Sequence, residues 1–180
     1  MTTADQGRAT RSKILAAARE LFAQRGYAAT SLADIAAAVG ITKTAVAYHF
    51  HPKDRLVEEL ITPAADDLIA LLETDYPGPQ AFLRAFIEFA VRHRTVIRLL
   101  TEDIGGADDA PPGSPREAIK AFSEQIFTKL TGTTPSAEER IRACAALGAV
   151  QVSVVKTLDL PEETVAETLT DIVLALYGGS

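Results

Sequence analysis

The 180-residue sequence predicts an all-α protein, and three observations carry that expectation. No tract alternates apolar and polar residues with the period of two that a half-buried strand requires. Apolar residues recur instead at steps of three and four from end to end, which gathers them on one face of successive helices. Helix caps punctuate these stretches: Ser31 stands three residues before Asp34, Ser136 three before Glu139, and Gly26 and Gly40 stand where helical stretches end. With 47% apolar residues the chain can bury a real core.

The first helix is expected from Arg11 to Arg25, capped by Thr10, with Ile14, Leu15, Ala18, Leu21 and Phe22 as its apolar stripe, Gly26 as its stop and Tyr27 packing beneath it. The second starts at Ser31, whose capping box places Asp34 at the positive helix end; Leu32, Ile35, Ala36 and Val39 face inward. Gly40 and Ile41 form a tight turn. Thr42 caps a third helix, Lys43 to His49, so short that its neighbours must support it.

Pro52 and Lys53 open a longer helix bearing Leu56, Val57, Leu60 and Ile61, which Pro63 should bend or break before Leu68 to Leu72. Asp75 to Pro79 reads as a turn. From Gln80 to about Glu102 a long helix carries Phe82, Phe86, Phe89, His93, Ile97 and Leu100 on one stripe, with Leu83, Ile87 and Val91 as a second flank. Gly105 to Gly113 is expected to be a mobile loop. Ser114, Pro115 and Glu117 start the next helix, with Ile119, Phe122, Ile126 and Leu130 on its apolar side. Ser136 and Glu139 open another through Ile141, Cys144, Ala145, Ala146, Gly148, Ala149, Val152 and Val155. The last, from near Asp159 and Pro161, carries Val165, Leu169, Ile172 and Leu176.

Charge is unevenly shared. Residues 1–55 carry a net +4 and the remainder −10, within a total of −6. A basic head on an acidic body can attract phosphate locally while the body discourages indiscriminate coating of nucleic acid. The lone Cys144 excludes an intramolecular disulfide and fits a reducing compartment. The opening residues lack the apolar centre of a signal peptide, and no apolar run reaches the roughly 18 residues of a membrane span. A cytoplasmic protein with no membrane partner is expected.

Two short helices joined by a glycine turn, after one longer helix and before another and inside the basic part of the chain, make a helix-turn-helix. Leu32, Ile35, Ala36, Val46 and Phe50 are placed to hold the second short helix at the angle that entry into a major groove requires.

Here the sequence resembles the tetracycline-repressor (TetR-like) family. The likeness lies in A-x-x-L-F-A-x-x-G-Y at Ala18 to Tyr27, T-S-L-A-D-I-A-x-x-V-G-I at Thr30 to Ile41, and Y-H-F-H-P-K-D-R-L at Tyr48 to Leu56, about the first third of the chain. The resemblance implies a transcriptional regulator, most commonly a repressor relieved by ligand, with residues 1–54 as a three-helix DNA-binding domain and 55–180 as a helical effector-binding and dimerisation domain. It implies a homodimer on double-stranded DNA, its two recognition helices about 34 to 36 Å apart on a pseudo-palindromic operator. Thr42, Lys43, Thr44, Ala45, Ala47, Tyr48 and His49 fall in the family's recognition-helix contact region. Lys43 and Thr44 are the candidates for base edges, and Thr30, Tyr48, His49 and Lys53 for backbone phosphates. Thr44 and Ala47 stand where many members have glycine and tyrosine, so contacts do not transfer at either position.

In the body, Phe82, Phe86, Phe89, His93, Phe122 and Cys144 are candidates for a pocket holding a small-molecule effector, His93 offering a hydrogen bond within an apolar wall; the alternative for His93 is a core histidine satisfied by another helix. Small Ala145 and Gly148 permit close helix approach, and with Val152, Val165, Leu169, Ile172 and Leu176 they are the candidates for a four-helix dimer interface. The sequence holds no H-E-x-x-H, C-x-x-C, phosphate-binding glycine loop or nucleophile triad. No metal, cofactor or enzymatic activity is therefore expected. Two rival functions are a regulator whose body binds a protein partner and a helical ligand-binding protein that does not bind DNA.

Overall fold

The computed structural model describes residues 3–103 and 115–178. Nine α-helices and one π-helical turn account for the secondary structure of these residues, with no strand among them: α1 (Thr3–Arg25), α2 (Leu32–Val39), α3 (Lys43–His49), α4 (Asp54–Glu73), α5 (Pro79–Arg92), α6 (Arg94–Arg98), the π-turn Leu99–Asp103, α7 (Pro115–Thr131), α8 (Ala137–Lys156) and α9 (Glu162–Gly178). The expected loop Gly105 to Gly113, the cap at Ser114 and the side chains of Glu117 and Ile119 lie outside the described residues.

Cap chemistry sets several boundaries. The Ser31 and Ser136 hydroxyls accept the backbone N–H of Asp34 and Glu139, and each carboxylate in return accepts the serine's own N–H at 2.8 Å. These bonds hold both exposed carboxyls below the usual carboxylate range, the serine hydroxyl contributing most at Asp34 and the backbone N–H of Ser136 most at Glu139. Thr42 accepts the Ala45 N–H at 3.1 Å and starts α3. Gly40 closes α2 at φ 74°, a left-handed conformation in which a side chain is strained.

Three expectations are corrected. Helix α1 begins well before Thr10, whose hydroxyl is spent inside the helix on the Gln6 carbonyl at 2.9 Å instead of capping it. Pro63 does not end α4: it sits on the exposed side, where water can satisfy the carbonyl it leaves without a donor, while Leu60 and Ala64 beside it are buried. The long helix expected from Gln80 is interrupted at His93, whose φ of −104° and ψ of 17° lie between helical and extended values, and it widens into the π-turn after Arg98. No glycine or proline marks either irregularity.

Two apolar cores result. The first joins Ile14, Ala18 and Phe22 of α1, Ile35 and Ala36 of α2, Val46 of α3, Phe50, and Leu56, Val57 and Leu60 of α4, and it also takes in Leu99 from the π-turn. The second lies among α5, α7, α8 and α9, with Phe82, Leu83 and Ile87 set against Ala146, Val150 and Val173. Helix α4 serves both, since its far end contributes Leu72 to the second core. Each large side chain so buried stabilises the fold by about 1.5–3 kcal/mol before chain entropy is counted.

Candidate functional site

The first core fixes one surface. Val46 is the buried anchor of α3; Thr44 and Tyr48 are exposed on the opposite side of that helix, Tyr48 to 86%, and Lys43 is exposed at its first turn. Ala45, Ala47 and His49 are half-buried along its edges. Behind α3, the Arg11 guanidinium lies 5.1 Å from the centre of the Phe50 ring and pairs with Glu59 of α4, tying three helices at the root of the surface. The result is a short helix held from behind, presenting an ammonium, a hydroxyl and a phenol outward. Such donors can meet guanine edges and phosphate oxygens.

Two of the expected phosphate contacts have internal bonds. Thr30 is 1% exposed and its hydroxyl donates to the Gly26 carbonyl at 2.9 Å, so this side chain secures the turn after α1 and does not reach outward. The Thr30 expectation is thereby corrected, because a hydroxyl placed just past a helix end is drawn to the orphan carbonyls there. Lys53 is half-buried. Its ammonium donates to the Tyr27 carbonyl and lies 3.7 Å from the centre of the Tyr27 ring, while the Tyr27 hydroxyl donates to Asp54. Burial chiefly, with the Asp54 hydrogen bond and charge, pushes the Tyr27 phenol up to about 12. This cluster locks the start of α4 against the end of α1, and the sequence reading missed it.

The body holds a cavity of about 390 Å³. Phe86, Phe89, His93 and Phe122 line it, with Ile61 and Leu68 of α4, Leu100 and Thr101 of the π-turn, and Leu147, Val150 and Gln151 of α8. Two candidates fall elsewhere. Phe82 is buried in the second core against Tyr76 and Phe86, and Cys144 is exposed on α8. The cysteine lies at the wrong angle of its helix, since Ala143, Leu147, Val150 and Val154 take the inward positions. The His93 ring is 12% exposed and borders the cavity, while Nε2 lies 2.8 Å from Asp67 Oδ2 on α4.

Head and body share elements around this cavity. The part of α4 that lines it continues directly from Leu56, Val57 and Leu60 in the first core. Leu100 lines the cavity, and its neighbour Leu99 is buried in the first core. Arg98 donates to the Ala23 carbonyl of α1 at 2.6 Å. No sequence signal marked Leu99 or Arg98 for this role.

The candidate interface residues divide. Val165 and Leu169 are buried against the rest of their own subunit with Val173, which corrects their assignment to an interface. Ala145, Gly148, Val152, Ile172 and Leu176 are exposed. Together with Ile141 they set an apolar strip along α8 and α9, Ile141 exposed to 69%, Val152 to 61% and Ile172 to 52%. No helix among the described residues is long and apolar enough to cross a membrane.

A supported helix-turn-helix on an all-helical body is the architecture of a DNA-binding regulator. Residues 14–60 match the family model for bacterial regulatory proteins of the tetR family. The HTH-type transcriptional repressor BepR of Brucella suis is 25% identical over 181 residues, covering 94% of this chain and 78% of that protein. The HTH-type transcriptional regulator TtgR of Pseudomonas putida is 42% identical over 59 residues, but these cover only 33% of this chain and 28% of TtgR. Among solved structures, a transcriptional regulator from Aquifex aeolicus superposes with a TM-score of 0.67 at 23% identity, over 91% of this chain and 97% of that one. Residues 14–60 are thus similar to the DNA-binding part of tetR-family regulators, and the whole chain shares the all-helical fold of solved regulators of that kind.

Proposed function

We propose that the chain is a repressor that binds a pseudo-palindromic operator as a homodimer and is released when a small molecule enters the body cavity. The observation that carries the reading is that one pair of elements serves both sites: α4 and the α6 to π-turn segment line the cavity on one side and build the DNA-binding head on the other. A ligand that fits the cavity better in one placement of these elements biases the angle of α3 by that difference in affinity and by nothing else. The division of labour follows at residues 1–54 for DNA and 55–180 for effector and partner, in the cytoplasm. Lys43 and Thr44 read base edges, Tyr48 and His49 hold phosphate, Thr42, Ala45 and Ala47 lie alongside in the groove, and Lys53 adds charge from its anchored position.

The relatives are consistent with repression: BepR is named a repressor, and the structural neighbour NalD is described as the secondary repressor of an efflux pump in Pseudomonas aeruginosa. The test is selection from a random double-stranded DNA library at salt high enough to suppress bare phosphate binding. Enrichment of one pseudo-palindrome is the expected result. If the folded chain enriches nothing, or enriches a single half-site with no symmetric partner, the dimeric operator reading is lost.

A further inference from the structure

We propose that the cavity takes an uncharged, largely apolar ring compound bearing a hydroxyl group, whose O–H donates to Nδ1 of His93. The proposal rests on the reading of this cavity as the effector site and names the class of molecule it accepts. Among the described residues no Lys, Arg, Asp or Glu side chain lines the cavity, so an ionised carboxylate or ammonium group entering it would lose its hydration without gaining a counter-charge in the wall. The described wall thus disfavours charged effectors.

The wall then selects for rings. Phe86 and Phe89 lie nearly parallel, 24° apart with ring centres 6.2 Å from one another, and Phe122 also borders the space. The ring faces and edges of these residues favour an aromatic or other flat apolar body. A volume of about 390 Å³ accommodates a compound of one to three rings.

Thr101, Ser123 and Gln151 also border the space, and His93 is the polar ring on its wall. An ionised carboxylate can only accept, so the 2.8 Å contact with Asp67 Oδ2 places the proton on Nε2. A neutral ring with Nε2–H donated outward to Asp67 keeps Nδ1 as an acceptor. Nδ1 has no hydrogen-bond partner among the described residues, and it is not one of the sealed, unpartnered atoms that a folded core avoids. An acceptor of this kind calls for a donor on the ligand. A hydroxyl supplies one without bringing charge, whereas an ether or ester oxygen meets lone pair with lone pair.

The test uses four probes that share one ring system: 2-naphthol, 2-methoxynaphthalene, 2-naphthoate and 2-naphthylmethylammonium. Binding to the full chain is measured by calorimetry at pH 8. 2-Naphthol is expected to bind about tenfold more tightly than each of the others, the worth of one well-placed hydrogen bond or of avoiding an unpaired charge. His93→Phe keeps an aromatic ring and should erase the preference of naphthol over its methyl ether. As a readout that needs no variant, the ring nitrogen signals of His93, one of three histidines, should move with naphthol and hold still with the ether.

Equal binding of all four probes, tightest binding of the carboxylate or the ammonium, no binding of any, or an unchanged preference in a folded His93→Phe protein would each overturn the assignment. Operator release is scored separately. Naphthol that binds with the expected preference but leaves operator affinity unaltered counts against the effector reading and leaves the ligand class intact. Release by all four probes with equal affinity does the reverse.

Discussion

At the scale of single residues, the head is held by polar groups that the pattern of side chains alone makes look like surface contacts. Thr30 illustrates why: a threonine between an apolar helix end and a serine cap reads as exposed, yet its hydroxyl meets the Gly26 carbonyl in a buried turn. Thr30→Val keeps the shape and removes the donor. It should cost about 1–2 kcal/mol in urea unfolding, the penalty of a buried carbonyl left unpaired, while the salt dependence of operator binding keeps its slope. A lower slope with unchanged stability would return Thr30 to the phosphate contacts. Tyr27 offers a pH signature. Its phenol is pushed up to about 12, mainly by burial, so stability present below the ordinary phenol value of about 10 is lost as pH rises from there towards 12. Tyr177 is also raised, chiefly by burial. Tyrosinate absorbance of the native protein should therefore include a late-ionising phenol that disappears in Tyr27→Phe. If the late-ionising absorbance is unchanged in the variant, the lock between Tyr27, Lys53 and Asp54 is not maintained in solution.

At the scale of elements, helices whose ends are written in local chemistry were legible and those shaped by distant contacts were not. Lys43–His49 follows from Thr42 and the Gly40 turn, and both serine capping boxes are formed, because each depends on residues within four positions. The break at His93 and the π-turn at Leu99–Asp103 stand where the chain meets Asp67, Ala23 and the first core, all far away in sequence. The same separation explains the pocket candidates. Periodicity placed Phe86, Phe89, His93 and Phe122 on apolar faces but could not tell a cavity wall from the filled core around Phe82. The irregular segment also carries a prediction. Arg98→Met retains the aliphatic stem and gives up the hydrogen bond to the Ala23 carbonyl. Coupling between sites in such switches is typically about 1–3 kcal/mol, or roughly 5- to 150-fold in affinity. The variant should bind operator and cavity ligand nearly as before while the ligand-induced loss of operator affinity shrinks severalfold. An undiminished ligand effect would place the coupling in α4 alone.

For the whole molecule, the sharing of apolar residues between inside and outside decides what the isolated chain lacks. Helix α9 turns Val165, Leu169 and Val173 inward at steps of four, and leaves Ile172 and Leu176 at about half exposure beside Val152 and Ile141 of α8. A stripe read as one face from sequence is thus two faces, and only the outer one is available to a second subunit. A Cβ at Gly148 would meet nothing within 4 Å, so the small residues there leave room that the subunit itself does not fill. An exposed apolar strip on two long neighbouring helices is what a four-helix interface would bury. Val152→Glu combined with Ile172→Lys puts charge on both helices without touching the inner core, and both positions are solvent-accessible in the subunit. The double variant should sediment as a helical monomer at concentrations where the parent, on the proposed reading, sediments as a dimer. Because joining two half-site contacts raises affinity by about 10²- to 10⁴-fold, operator binding should fall by a factor in that range, while cavity-ligand binding should stay close to that of the parent. A variant that remains dimeric would move the interface off this strip. A monomer that holds the operator as tightly as the parent would remove the need for two recognition helices.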